Sequence, residues 1–267
     1  MKREAFIERV RQAARAGQAH RAHVRTGLPD SVGYVGGGAD LCCRLAEEVV
    51  GVGGTAVVVE TLEAARVALA VLLDNLQPTS ALCWRHPLLE QLELTELLAA
   101  HNVEPYDFGR LAELEASERR RAILAAGIGI TSVAAAIAET GTLVLAAEPG
   151  RERVASLLAP VHVAIVAESQ ILPDLFDLFA SLDRAVGCVK QSADAPPLRA
   201  KAREAGAPSA SLRWPLAGDG ESGEKSRLLP SNLVLITGPS KTGDIELQLT
   251  TGVHGPGKVH VIVIRGR

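Results

Sequence analysis

Short apolar segments alternate with longer helical patterns between residues 40 and 126, and this alternation limits the fold more than any other feature of the sequence. Strands that alternate with helices of about 10–15 residues are typical of βα units, in which parallel strands form one sheet with helices on both faces. The strands are predicted at 55–60 (TAVVVE), 79–84 (TSALCW) and 103–108 (VEPYDF), and the helices at 40–50, 61–75, 86–101 and 113–126.

The second half of the chain has a different pattern. AIAETGTLVLAA (136–147) predicts two strands joined by a tight turn, and a helix is predicted at 173–185. Residues 190–230 are rich in Pro, Gly, Ser and Ala and contain few apolar anchors, so we expect a long surface excursion there. Further strands are predicted at 161–168, 232–238 and 258–264.

The first 35 residues predict an N-terminal extension of the α/β domain. Residues 2–26 contain many Arg and Ala residues, and Phe6 and Val10 lie on one face of the predicted helix. A Gly-rich link follows. We therefore expect a helix and linker at 1–35 and one main domain at 36–267.

Composition excludes several classes of protein. The net charge of −3 and the aromatic content of 3% argue against nucleic acid as a partner. The sequence has no apolar run of about 18 residues and no signal-peptide pattern, so we expect a cytoplasmic protein that does not bind membranes. The four cysteines lack a Cys-x-x-Cys motif, so we expect neither a metal site nor an iron–sulfur cluster on this chain.

A segment near the C-terminus, GVHGPGK (252–258), nearly matches a phosphate-binding loop. The loop motif needs Ser or Thr next, and a helix after it whose amide groups hold the phosphates. Here Val259 follows, the next residues predict a strand, and Pro256 removes an amide donor. The sequence therefore predicts no nucleotide loop.

Small polar residues follow the strand at 232–238 in the segment GPSKTGDIE (238–246). In parallel α/β sheets, ligands bind beyond the carboxyl ends of strands. Ser240 and Thr242 could donate to an anion, Lys241 could neutralise it, and Asp244 or Glu246 could accept a proton. The same residues also fit a turn followed by a helix cap at Asp244.

A second polar segment, AETGT (138–142), lies in the predicted hairpin. Glu139 next to a glycine is a candidate base or nucleophile, although a hairpin with Glu139 in water is the alternative. Arg151 could bind a carboxylate or phosphate. Of the single histidines, His254 is the better candidate for a site.

These segments together resemble the lactate utilization protein C family, which is defined by its LUD domain. The resemblance is carried by IAETGTLVL (137–145), RERVASLLAPVHVAIV (151–166) and GPSKTGDIELQLTTGVHGPGKVHVIVI (238–264), and it covers roughly residues 35–267. It implies an open, mostly parallel α/β sheet with a smaller antiparallel portion, like that of ribose-5-phosphate isomerases and CoA transferases.

The resemblance also implies a function, which is a part in the oxidation of L-lactate to pyruvate beside iron–sulfur partner subunits. No cofactor is then expected on this chain, and a small organic acid or anion is the expected ligand. The candidate catalytic residues are Glu139 and Asp244, and the candidate ligand-binding residues are Thr140, Gly141, Thr142, Arg151, Gly238, Ser240, Lys241, Thr242, Asp244, Glu246, His254 and Gly255.

Two other functions fit the same residues. In one, the chain is a stand-alone transferase or isomerase that acts on an acyl-CoA or a sugar phosphate, with Glu139 as the reacting carboxylate. In the other, it is an interaction subunit without chemistry of its own, which docks through residues 2–26 and 190–230. The sequence leaves open whether this chain catalyses a reaction.

Overall fold

The computed structural model describes residues 3–18, 36–186, 230, 232–245 and 248–267. The chain divides into two compact units, Met1–Tyr34 and Val35–Arg267. In the first unit the described element is helix α1 (Arg3–Gln18). The predicted excursion at 190–230 lies outside the described residues except for Pro230, and Glu246 also lies outside them.

Helices and strands of the second unit alternate as the sequence predicts up to residue 106, although the predicted helix at 86–101 is two helices and the strand at 128–131 is not among the predicted strands. The helices are α2 (Leu41–Gly51), α3 (Leu62–Leu76), α4 (Pro87–Gln91), α5 (Leu94–Ala100), α6 (Phe108–Glu113), α7 (Ala116–Ala125), α8 (Val154–Leu157) and α9 (Leu175–Val186). The strands are β1 (Thr55–Val59), β2 (Ser80–Cys83), β3 (Glu104–Tyr106), β4 (Ile128–Thr131), β5 (Ala135–Ile137), β6 (Thr142–Ala147), β7 (Val161–Ala167), β8 (Ile171–Leu172), β9 (Asn232–Thr237), β10 (Lys241–Ile245), β11 (Gln248–Thr251) and β12 (Lys258–Ile264).

The main sheet has six described strands in the order β1-β12-β7-β4-β2-β3, and every pairing in it is parallel. All residues of β4 and β7 are buried, so both faces of the sheet are covered at its centre. The predicted class, a mostly parallel sheet with helices on both faces, is confirmed.

A smaller sheet has the order β8-β5-β6-β9. β5 and β6 form the predicted antiparallel hairpin around AETGT, and β9 pairs antiparallel with β6. The smaller antiparallel portion is therefore also confirmed. β10 and β11 form a separate antiparallel hairpin.

Helix α2 lies between the two sheets, because it packs against β1 and β12 of the main sheet and against β8 of the smaller one. Cys42, Leu45 and Val49 are spaced along the helix so that their side chains are buried. The helix begins at Asp40, whose carboxylate accepts a hydrogen bond from the Cys43 amide at 3.0 Å.

The predicted helix at 113–126 corresponds to α7, and a short helix that the sequence does not predict, α6, precedes it. Asp107 starts α6, because its carboxylate accepts from the Arg110 amide at 2.8 Å. Leu114 then takes an extended conformation and ends α6 before α7 begins. In the part of the chain that is described, no helix has the length and apolar character needed to cross a membrane.

Gly129 in β4 gives a first test of the fold. A methyl group at this position would lie 1.7 Å from the carbonyl oxygen of Ala155 in α8. Gly129→Ala should therefore reduce the free energy of unfolding by about 3 kcal/mol, measured by urea denaturation. Gly51→Ala is the matched control, since nothing lies within 4 Å of its added methyl group. A Gly129→Ala protein as stable as wild type would show that α8 does not press on β4 here.

His162 in β7 gives a second test. It is fully buried and its Nε2 lies 2.9 Å from Thr131 Oγ1. Burial lowers the pKa of His162 to about 4 from its ordinary 6.5. Because the unfolded chain binds a proton more readily, this residue's contribution to stability is complete above pH 6.5 and is lost as the pH falls toward 4.

The expected result is that His162→Gln, which keeps a side chain able to bond Thr131, loses less stability on acidification. The fall in unfolding free energy from pH 7 to pH 4.5 should be roughly 2–3 kcal/mol smaller than in wild type. Urea denaturation at several pH values measures it. Parallel pH profiles for the two proteins would contradict the assignment.

Candidate functional site

Two glycine turns, one from AETGT and one from GPSK, lie against the end of α2. Gly141 and Gly238 both have positive φ angles, of 64° and 73°. A Cβ atom on Gly141 would lie 2.7 Å from the Val49 nitrogen, and one on Gly238 would lie 2.8 Å from a methyl group of Val52. The two polar segments that the sequence singles out therefore meet at one place, which we call the α2-end cluster (residues 139–142, 237–242 and 252–257).

A chain of threonine hydroxyls joins the two turns. Thr142 lies opposite Thr237 in the β6–β9 pairing, and their Oγ1 atoms are 2.8 Å apart. Thr140 Oγ1 lies 2.7 Å from Thr142 Oγ1. Each hydroxyl has one donor and two acceptor positions. The two bonds among the three threonines therefore leave Thr140 and Thr237 able to form further hydrogen bonds. Thr142 is buried, whereas Thr140 is half-buried and Thr237 is exposed.

Lys241 neutralises the carboxyl end of α2. Its ammonium group donates to the Val52 carbonyl at 2.8 Å, and a Cβ on Gly53 would lie 3.2 Å from Nζ. The carboxyl end of a helix carries partial negative charge, which a cation offsets. Of the described carboxylates, none forms a salt bridge with Lys241. Two of the three ammonium donors therefore remain to bind an anion.

The loop at 252–257 packs beside Ser240. The Ser240 amide donates to the Pro256 carbonyl at 2.9 Å, and the Gly252 amide donates to the Ser240 carbonyl at 2.9 Å. A Cβ on Gly255 would lie 3.3 Å from Ser240 Cβ. His254 is exposed at the tip of this loop. The predicted residues Ser240, His254 and Gly255 are thus brought into one neighbourhood.

The cluster lies at the amino ends of the main sheet, whereas the sequence favoured the carboxyl ends. The Gly257 amide donates to the Pro160 carbonyl at 2.9 Å, just before β7 and β12 begin. The difference arises because β9, which leads into GPSK, belongs to the antiparallel sheet. A helix cap at Asp244 is also excluded, because residues 241–245 form strand β10.

Thr242 is half-buried and pairs with Thr250 across the β10–β11 hairpin. The predicted acids Asp244 and Glu246 have side chains outside the described part of the structure. In the described part, no group of three or more His, Cys, Asp or Glu residues is placed to hold a metal ion.

Glu139 points toward the residues that precede α2. Its Oε1 accepts from the Gly36 amide at 3.2 Å, and its own amide donates to the Pro173 carbonyl at 3.1 Å. The residue is half-buried. The Gly36 amide therefore binds the carboxylate, and the residue lies next to Thr140, the first hydroxyl of the threonine chain.

Arg151 lies away from this cluster. Its guanidinium pairs with Glu148 at 3.0 Å, and both side chains are 17% exposed. The Arg85 amide donates to the Gly150 carbonyl, which places Arg151 beyond the carboxyl end of β2. The α2-end cluster lies at the amino ends of the strands, so the two are at opposite ends of the main-sheet strands. Burial, with a smaller effect of the Arg151 charge, lowers the pKa of nearby His86 to about 4.

Sequence reasoning missed an ion cluster at the carboxyl end of β12. The Arg265 guanidinium lies 2.6 Å from Asp40 and 3.4 Å from Glu60, and 3.1 Å from Cys43 Sγ. The Cys43 amide and then Arg265 lower the pKa of Asp40 to about 2. The cluster ties the start of α2 to the ends of β1 and β12. The Asp-x-x-Cys cap was readable from the sequence, but the arginine was not, since it comes from the other end of the chain.

Curated relatives match this chain over only part of their own length. A Lactate utilization protein C from a Geobacillus species is 30% identical over 187 residues, which are 69% of this chain and 61% of the relative. One from Halalkalibacterium halodurans is 30% identical over 196 residues, which are 73% of this chain and 66% of the relative. The chain therefore spans less than two thirds of the length of these relatives.

Among solved structures, a DUF162 family protein from Deinococcus radiodurans has a TM-score of 0.45 and 18% identity, and the match covers 83% of this chain and 94% of that one. The family model of the LUD domain matches residues 42–197 and 211–264, which is most of the sequence and includes both turns of the α2-end cluster. The chain belongs to the LUD domain family.

Proposed function

We propose that this chain is a non-redox component of an L-lactate utilization system, which binds a small organic acid at the α2-end cluster and works beside iron–sulfur partner proteins. Relatives that carry the name Lactate utilization protein C support the pathway. The organic acid and the partners are part of the proposal. Within this sequence the cysteines lack the spacing of a cluster motif, so the electrons are assigned to the partners.

The observation that carries the ligand proposal is the position of Lys241. An exposed ammonium group that bonds only the Val52 carbonyl among its described neighbours keeps donors for a carboxylate. Charge-assisted hydrogen bonds of this kind are stronger than those between neutral groups. Ser240, the preceding residue, supplies a hydroxyl in the same turn.

The threonine chain supplies the second half of the proposed site. Thr237 precedes the Gly238 turn that touches Val52, and Lys241 touches the same residue. In the proposed arrangement the carboxylate of the acid binds Lys241 and Ser240. Its 2-hydroxyl or 2-oxo group then bonds a threonine hydroxyl, which can donate or accept. A site built this way favours a 2-hydroxy or 2-oxo acid over a simple carboxylate.

Removal of the lysine charge tests this site. Lys241→Met should weaken binding of L-lactate or pyruvate about ten-fold or more, because one charge-assisted hydrogen bond and the neutralising cation are lost. Isothermal titration calorimetry measures the affinity directly, which separates it from any change in stability caused by uncapping α2. Acetate, which lacks the 2-substituent, should bind more weakly than either acid.

Lys258→Met is the matched control, since Lys258 is also exposed and begins β12 beside the same loop. It should keep wild-type affinity. Equal affinities for wild type and Lys241→Met would show that the acid does not bind at Lys241. Equal losses of affinity in both variants would show that the effect is a general one of charge.

Growth tests the pathway separately. A strain that lacks this gene but keeps its iron–sulfur partners should fail to grow on L-lactate while growing normally on glucose. A plasmid copy of the wild-type gene should restore growth. Undiminished growth of the deletion strain on lactate would refute the assignment to lactate utilization, whatever the binding data show.

A second candidate function is favoured by the setting of Glu139. Its half-buried carboxylate, held by the Gly36 amide, has the chemistry needed to attack an acyl-CoA thioester. Attack on the thioester carbonyl would form a glutamyl–acyl anhydride and release CoA as its thiolate. That thiolate could then attack the glutamyl carbonyl, which gives a glutamyl-CoA thioester and the free acid.

Trapping decides between the two functions. If the chain is a transferase, borohydride added with an acyl-CoA will reduce the glutamyl thioester, and mass spectrometry will find the change in the peptide that contains Glu139. Glu139→Gln should abolish that change. An unmodified peptide over a panel of acyl-CoA thioesters would exclude covalent transfer and leave the binding component as the function.

A further inference from the structure

Helix α7 buries none of its residues. Leu124 on this helix is 67% exposed, and Leu158, which follows α8, is 55% exposed. Together with the half-buried Ile123 they form the floor of a surface groove of about 320 Å³. Ala116, Arg119 and Arg120 complete its lining. We call this feature the α7–α8 groove.

The rim of the groove is cationic. Arg119, Arg120 and Arg121 are consecutive, and the first two line the groove. Arg119 donates to the Leu114 carbonyl at 3.0 Å, which orients its guanidinium. In the described part of the chain, none of the three forms a salt bridge with a carboxylate. Each guanidinium has five N–H donors in a planar fork that matches a carboxylate.

We propose that the α7–α8 groove docks an acidic amphipathic segment of a partner protein. Apolar side chains of that segment lie between Leu124 and Leu158, and its carboxylates bind Arg119 and Arg120 in pairs. Charge complementarity identifies the partner, because an apolar floor beneath unpaired guanidinium groups matches a segment that alternates apolar and acidic residues. The groove borders the loop at 252–257, since a Cβ on Gly255 would lie 4.0 Å from the Leu157 carbonyl oxygen. The docking proposal does not depend on what binds at the proposed acid site.

Other occupants fit the groove less well. A free fatty acid would fill the space between the leucines but leave their outer faces in water. A second copy of this chain, packed by two-fold symmetry, would bring the same arginines against each other, and like charges repel.

Photo-crosslinking in cells tests the proposal with the full-length protein. Leu124→p-benzoylphenylalanine places the reactive group on the groove, and Val71→p-benzoylphenylalanine places it on α3, where the valine is also largely exposed. Mass spectrometry reads the crosslinked peptide. We expect position 124 to capture a segment of another protein with at least two Asp or Glu residues among its apolar residues, and position 71 not to capture it.

Charge reversal shows whether the arginines make the contact. Combined Arg119→Glu and Arg120→Glu should reduce the crosslink at position 124 about ten-fold. Replacement of the captured segment's carboxylates with lysine should restore it. Because both arginines are exposed, the variant should keep the wild-type melting temperature, which checks that it folds.

Four outcomes would overturn the proposal. They are a crosslink to a second copy of this chain, a crosslink to lipid alone, a yield that charge reversal does not change, and a yield at position 124 no higher than at position 71. None of these readings requires the chain to bind an organic acid, so the docking surface and the proposed function fail separately.

Discussion

The close contact between two glycine turns and the end of α2 is the constraint on which the candidate site depends. Gly141 and Gly238 approach Val49 and Val52 at distances that no side chain would permit. Gly141 directly precedes β6 and Gly238 directly follows β9, so the contact fixes the smaller sheet against the helix. Since α2 also packs on β1 and β12, the helix sets the relation of the two sheets. The threonine chain and the bond from Lys241 follow from that position.

Local patterns in the sequence predicted most of the elements, because strands and helices leave a periodic trace in neighbouring residues. The hairpin around AETGT was predicted from its turn, and β7 and β12 from their β-branched runs. The short helix α6 is not predicted, because it depends on a single capping residue, Asp107, inside the predicted strand at 103–108. The relation between elements is a different matter, since it depends on pairing between distant segments.

The candidate site shows the same division. The sequence brought AETGT and GPSK together as one site, and the structure does place them against one helix end. The sequence does not show that β9 pairs antiparallel with β6. That pairing decides whether the GPSK segment lies at the amino or the carboxyl ends of the main-sheet strands. Arg151 is close to Glu139 in sequence, but β6 lies between them and takes the chain from the amino ends to the carboxyl ends of the main-sheet strands. The charge partners of Arg265 likewise come from the other end of the sequence.

The order of strands in the main sheet also governs how the protein is made. β12 lies between β1 and β7, although β1 ends at Val59 and β12 begins only at Lys258. During synthesis, the sides of β1 and β7 that later pair with β12 have no neighbour until β12, the last strand of the sheet, leaves the ribosome. The edge of β1 is therefore unpaired from early in translation and that of β7 from its own synthesis onward, and open strand edges pair readily with those of other chains. The interior of this sheet is therefore the last part of it to be completed.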